Sequence, residues 1–242
     1  MSPKGSPVGT RRPPTGSRWY EDPNLLREFR RILLGWFRVN GRMYPWRATK
    51  DPFKILVAEI MLQRTRAEQV VPVWEDFFRR FSDVGSLVRV PPHLLRPYFR
   101  RLGLMWRTRH FRGLVHKLAI EYGGKVPRSR EKLLELPGVG EYIADAVLYS
   151  AWGEPVVAVD SNVRRVIGRI LGIEPGPENG RLIRELAQCL LDRSEPAKFN
   201  RALLDLAALV CRPKNPNCRS CPVHSFCAFP NHNERNPPDS PG

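Results

Sequence analysis

The chain has no run of about eighteen apolar residues, because Arg, Glu or Asp breaks its longest apolar segments, and this excludes a membrane-spanning helix. Acidic charge is scarce: 24 Asp plus Glu stand against 40 Lys plus Arg, a formal net charge of +16. That imbalance is the footprint of a protein that meets a polyanion, nucleic acid first. Segments alternating with period two are nearly missing, which leaves no material for a sheet. Cysteine is sparse, five in 242 residues, and 42% hydrophobic residues suffice for the core of one large or two small domains, so a disulfide-stapled miniprotein is excluded. The first eighteen residues carry Lys4, Arg11, Arg12 and Arg18 and no acid, but they lack an apolar h-region and so are not a secretory signal. A basic, disordered arm over residues 1–23 is expected, with an organellar transit peptide as the alternative.

What is present is helical periodicity. Leu25, Leu26, Phe29, Ile32, Leu33 and Trp36 recur at helical spacing with Arg on the other face. Similar patterns recur at 52–63, 67–81, 105–122, 129–136, 141–152, 160–171, 180–192 and 197–210, separated by Gly, Pro or Asp punctuation such as Tyr44-Pro45-Trp46 and Gly123-Gly124. The best strand candidate, Val156 to Val159, is too short and isolated to build a sheet. An all-α protein with nine or ten helices is expected. After Cys211 the periodicity stops, so something other than apolar packing is expected to hold residues 211–227, with a polar tail over 228–242.

Four cysteines form one run, Cys211-x6-Cys218-x2-Cys221-x5-Cys227, while Cys189 is read as a buried residue on the apolar face of a helix. Four thiolates within seventeen residues can surround one soft metal centre. Two disulfides are the first alternative, disfavoured without a secretion signal. A zinc site is the second, although only the 218/221 pair has the usual knuckle spacing. A 4Fe-4S cluster fits better, but spacing alone does not settle it.

Leu136-Pro137-Gly138-Val139-Gly140 joins two short helical segments. Its two glycines give the backbone conformations closed to other residues, and the N–H groups at the start of the next helix make an anion site; an ordinary Gly/Pro connection is the alternative. Twenty residues on, Asp160 stands where it would open a helix, and its plain reading is an N-cap. Glu59 lies on a helix otherwise apolar through Ile55, Leu56, Val57, Ala58, Ile60, Met61 and Leu62. A lone carboxylate there is either on a solvated face or in a pocket.

Together, the cysteine run at the end of a helical chain, the Leu-Pro-Gly-Val-Gly hairpin and Val159-Asp160 with Val163, Arg165 and Val166 resemble the iron-sulfur members of the helix-hairpin-helix DNA glycosylase superfamily, the endonuclease III and MutY group. The resemblance implies a two-lobed all-α fold with a C-terminal 4Fe-4S loop. One lobe would hold residues 24–51 and 158–227, the other a helical barrel over 52–157. It makes Cys211, Cys218, Cys221 and Cys227 the cluster ligands and Asp160 the catalytic carboxylate. Pro137, Gly138, Val139 and Gly140 become the phosphate grip, and Arg212 and Lys214 a basic loop against DNA. Glu59 becomes a base-pocket residue that bonds or protonates the leaving base.

The lyase branch of this superfamily carries lysine where Tyr142 stands, so the resemblance implies a monofunctional enzyme. Tyr142 and Arg64 favour the Mig-type thymine/uracil mismatch glycosylases over MutY, as does the end of the chain fifteen residues after Cys227. Arg64 and Leu104 match the family's wedge residues, which fill the hole left by a flipped base. The implied partner is double-stranded DNA with a mispaired or damaged base, met by a monomer, in the cytoplasm at the nucleoid. The rival readings are a MutY-like adenine glycosylase and, from another class, a non-catalytic iron-sulfur DNA-binding redox sensor.

Overall fold

The computed structural model describes residues 18–229; residues 1–17 and 230–242, most of the expected arm and tail, lie outside the described residues. Among the described residues there are twelve α-helices and no strand, and the fold is all-α as expected. The chain forms two compact units. One holds the described residues up to Val39, then Ser161–Leu190 and the chain from Ala202; the other holds Asn40–Asp160 and Leu191–Arg201. Residues 40–51 and 191–201 therefore fall with the unit that contains 52–157, which differs from the boundaries read in the sequence.

In the first unit, α1 (Pro23–Asn40) buries Phe29, Leu33 and Leu34. The described residues before it are packed. Trp19, 5% exposed, sits in a 3-10 turn with its ring 5.0 Å from Phe29 and 4.9 Å from Phe226, so the expected arm ends by Trp19 rather than at residue 23.

The second unit begins with α2 (Pro45–Ala48), on the Tyr-Pro-Trp stretch read as a break. Next comes α3 (Pro52–Leu62), started by Asp51, whose carboxylate accepts from the Phe53 and Lys54 amides at 2.8 and 3.2 Å, with Pro52 in the first turn. Then follow α4 (Ala67–Arg80), α5 (Val84–Val88), α6 (Pro92–Arg101), α7 (Arg107–Tyr122), α8 (Arg130–Leu134) and α9 (Glu141–Val147), the last continuing as a π turn over Leu148–Trp152. Periodicity missed α5 and α6. Pro92 opens α6, where no amide donor is needed, and Leu95, Tyr98 and Phe99 bury one face.

The first unit resumes with α10 (Ser161–Leu171) and α11 (Gly180–Leu190), and α12 (Pro196–Leu209) carries residues assigned to both units. Cys189 is exposed, not buried. The apolar face of α11 is set by Ile183, Ala187 and Leu190, and residue 189 lies off that stripe at 100° per residue.

Candidate active site

The extended segment before α10 positions the aspartate. Val157, Ala158 and Val159 are buried, yet there is no neighbouring strand to satisfy their backbone. The side-chain amide of Asn200, 1% exposed, supplies the pairing: its Oδ1 accepts from the Ala158 amide at 2.9 Å, and its Nδ2 donates to the carbonyls of Val156 and Pro196, both at 2.9 Å. Asp160 follows two residues later, half-buried, at the end of a segment fixed by hydrogen bonds.

Glu59, on α3, is 7% exposed, which excludes the solvated-face reading. Burial pushes its carboxyl up to about 7, opposed by Arg47 and reinforced by the charge of Asp160. Tyr142 hydrogen-bonds it, while its Oε2 is buried with no partner. Tyr142, on α9, is half-buried, and burial beside Glu59 raises its phenol well above 10, so it stays a neutral donor. Tyr149, fully buried in the π turn, feels the same carboxylate, with Arg47 and Arg201 also in range. Thus Glu59, Tyr142 and Asp160 are brought into one electrostatic cluster. Arg47, Tyr149 and Arg201 belong to it as well and were not picked out from the sequence.

The hairpin runs from α8 to α9, its helices tied by Arg130 and the buried Asp145 at 2.7 Å. Gly138 has φ +82, a conformation that favours glycine. Gly140 is different: its φ of −97 and ψ of −179 are open to any residue, and a Cβ there would meet nothing within 4 Å. The expectation that both glycines are required therefore holds only for Gly138. Val139 is 6% exposed, and its amide closes the turn on the Leu136 carbonyl at 3.0 Å. Pro137 packs against Gly113 of α7, where an added Cβ would meet its ring at 3.4 Å.

Arg64 is exposed just beyond α3, in the left-handed region at φ +59, a strained conformation for a non-glycine residue. Leu104 does not project: it is 3% exposed. It closes α6 in a Schellman turn, with Gly103 at φ +69 donating to the Arg100 carbonyl and the Leu104 amide donating to the Phe99 carbonyl at 2.8 Å. Such a turn folds the residue after the glycine back onto the helix. The apolar groups this loop presents to solvent are Met105 and Trp106.

The cysteine loop follows α12. Among the described residues no three His, Cys, Asp or Glu side chains converge as a group able to hold a metal ion. None of the four cysteines is in a disulfide, and together they line one pocket. Arg165 Nε donates to the Cys211 carbonyl at 3.0 Å, and Arg169 Nη1 and Nη2 donate to the carbonyls of Arg212 and Pro213 at 2.8 and 3.0 Å. Arg169 Nη1 also lies 3.5 Å from the Cys211 sulfur. Val223 and Phe226 are buried, so apolar packing holds this segment too, contrary to the reading from periodicity. Arg212 and Lys214 are exposed, and Arg212 donates to the Asn215 carbonyl within the loop.

The signature of the HhH-GPD superfamily of base excision DNA repair proteins matches residues 57–190, a stretch that holds Glu59, Arg64, the hairpin, Tyr142 and Asp160. The chain belongs to the HhH-GPD superfamily. Among relatives of this HhH-GPD protein, the thymine-DNA glycosylase of Aeropyrum pernix is 37% identical, over 87% of this chain and 98% of its own. The thymine/uracil-DNA glycosylase of Methanothermobacter thermautotrophicus is 34% identical, over 81% and 90%. The human adenine DNA glycosylase is 31% identical, over 92% of this chain and 45% of its own. Of solved structures, a thermostable thymine-DNA glycosylase superposes with a TM-score of 0.79 at 32% identity, covering 84% of this HhH-GPD chain and 95% of that one. A non-covalent endonuclease III–DNA complex gives 0.72 at 24% identity, a likeness of fold.

Proposed function

We propose that the chain is a monofunctional DNA glycosylase, acting as a monomer on double-stranded DNA, that flips out and hydrolytically removes thymine or uracil mispaired with guanine. The observation that carries this reading is the cluster of Glu59, Tyr142 and Asp160, two carboxylates and a phenol with no amine at position 142. The relatives named for thymine and uracil, matched over nearly their whole length, support the choice of base.

The chemistry follows from the cluster. As the bond between the sugar and the base breaks, its electron pair leaves with the base and positive charge builds on the sugar. The carboxylate of Asp160 stabilises that charge and takes a proton from the water that attacks the sugar carbon. Glu59, held near neutrality by burial, keeps the proton that the departing base accepts. Tyr142 orients Glu59 through its hydrogen bond. Without an amine no Schiff base forms, so the strand stays intact after excision. The hairpin at Pro137 to Gly140 grips phosphates, a role that positions without reading sequence, and exposed Arg64 enters the space left by the flipped base.

The four cysteines fit a 4Fe-4S cluster. The four sulfurs share one pocket, and N–H groups face three of them: backbone donors at Val223 and Phe229 for Cys221 and Cys227, and Arg169 for Cys211. Burial pushes the Cys221 and Cys227 thiols up, to about 12 and about 11, so it is the iron of a cluster that would hold them as thiolates. When bound, the cluster supplies architecture, holding Arg212 and Lys214 toward DNA. Iron and acid-labile sulfide at four each per purified chain is the expected analysis; zinc without iron overturns the assignment.

Single-turnover excision on duplexes carrying T:G, U:G, A:8-oxoguanine and A:G tests the function. Strand breaks at T:G and U:G only after alkali are expected. Breaks confined to the adenine duplexes would make the chain an adenine glycosylase, breaks without alkali would give it lyase activity, and no excision on any of them would leave the non-catalytic reading.

A further inference from the structure

The helix that carries Tyr142 does not end regularly. Where α9 widens into the π turn, the Gly153 amide goes to the Tyr149 carbonyl and the Glu154 amide to the Leu148 carbonyl, both at 3.2 Å. In a regular helix the Glu154 amide would serve Ser150, and residue 155 is a proline with no amide to offer. Ser150 is 5% exposed, so its carbonyl needs another donor. Lys50 supplies it: its Nζ reaches across 100 residues of sequence to the Ser150 carbonyl at 2.9 Å. Lys50 directly precedes Asp51, the N-cap of α3, and α3 carries Glu59. One bond therefore ties the start of the Glu59 helix to the π turn, a rare element that recurs at functional sites.

What the tie holds is Tyr149, the bulkiest fully buried side chain among the described residues. Two helical turns after Tyr142, it lies on nearly the same side of the helix. Its ring packs on Ala146 of α9 and on Ala158, two residues before Asp160, with Tyr142 and Val156 alongside. Helix α3 packs against both α9 and the π turn, and the charge of Glu59 reaches the Tyr149 phenol. The ring thus touches the helix of Tyr142 and the segment of Asp160 and lies beside Glu59.

Glu59 Oε2 has no partner, and an unpaired buried oxygen takes up water once there is room for it. We infer that Lys50 and Tyr149 are positioning residues that keep water from Glu59: Lys50 pins the π turn, and the Tyr149 ring held on it walls the carboxyl. The inference deepens the proton-donor role proposed for Glu59 and rests on it. Dryness is what such a donor needs, because burial is the chief cause that lifts Glu59 above the ordinary carboxylate range. The groups that face it are Arg47 from α2, Tyr142 from α9, Tyr149 from the π turn, Arg201 from α12, and Asp160. All of them remain when Lys50 is replaced. Water let in brings Glu59 down toward 4.5, whereas loss of the Lys50 cation alone would push it up, so the sign of the change separates the two effects.

The test is the Glu59 titration, read by carboxyl-carbon NMR on the full chain with isotope-labelled glutamate, the Glu59 signal being the one lost in Glu59→Gln. Lys50 is exposed, so Lys50→Met spares the core and decides alone if Tyr149→Ser does not fold. The titration is expected to fall by at least about half a pH unit in Lys50→Met and about one in Tyr149→Ser. Lys50→Arg, which keeps a donor for the carbonyl, and Tyr149→Phe, which keeps the ring, stay at the wild-type value. Excision at U:G follows: Tyr149→Ser loses about tenfold more at pH 8 than at pH 5. A merely structural role would lower the melting temperature and slow both alike. A titration unmoved or raised in Lys50→Met or in folded Tyr149→Ser, a Lys50→Arg that shifts as far as Lys50→Met, or an equal loss of rate at both pH values overturns the proposal. A wild type that excises nothing, with the titrations moving as expected, would instead overturn the function and leave the positioning standing.

Discussion

Asp160→Asn lowers single-turnover excision at U:G by at least about 10³-fold while leaving duplex affinity within about threefold of wild type. Asparagine keeps the shape and the backbone but removes the charge that, in the proposed mechanism, faces the forming sugar cation. Loss of electrostatic stabilisation in a partly buried site is among the largest single effects available to an enzyme. The segment before it is fixed independently: Asn200 holds the Val156 carbonyl and the Ala158 amide, so the variant retains its fold, and an unchanged far-ultraviolet circular dichroism spectrum checks this. An Asp160→Asn enzyme that still excises would reduce Asp160 to an N-cap.

The second large effect is at Glu59, where function and stability pull in opposite directions. Its carboxyl titrates at about 7 in the folded protein against the ordinary 4.5, chiefly through burial. Between those two values the folded protein holds a proton that the unfolded chain has released, so the contribution of Glu59 to stability falls as pH rises from about 4.5 to 7 and then levels off. Above pH 7 the folded protein therefore carries a buried carboxylate at a cost of up to about 3 kcal/mol. Glu59→Gln removes that cost: its melting temperature exceeds wild type by several degrees at pH 8, and the gap closes at pH 4.5. The same substitution removes the proton donor and lowers excision by about 10²–10⁴-fold. A variant less stable than wild type at pH 8 would show that the carboxylate is well paired when ionised.

How much of this was legible in the sequence depended on whether a residue's role is local. The helix of Glu59 was readable because one carboxylate interrupts seven apolar neighbours, and the hairpin because Pro and Gly cluster between two short helices. The four cysteines were readable by spacing. Leu104 was read from its position in the chain, but its direction is set by the Schellman turn at Gly103, which folds it into the core and leaves Trp106 outside. Arg47, Tyr149 and Arg201 reach Glu59 only through tertiary packing and carry no spacing signal. Asn200 is the clearest case: forty residues after Asp160, it replaces a missing strand partner, and nothing near it in the chain announces that. Helix α5 is only five residues long, too short to show a period, and α6 carries prolines at 92 and 97 that are tolerated because Leu95, Tyr98 and Phe99 bury one face.

The central claim is that a buried, protonated Glu59 works beside Asp160, and the pH dependence of the single-turnover excision rate at a U:G mismatch between pH 5 and 9 tests it most directly. The rate of the wild type is expected to fall tenfold per pH unit above about 7, while the slower Glu59→Gln enzyme shows no such break. A wild-type rate that rises through pH 7 would make the ionised form of Glu59 the working one, and a flat profile would remove it from the chemistry; either result contradicts the account.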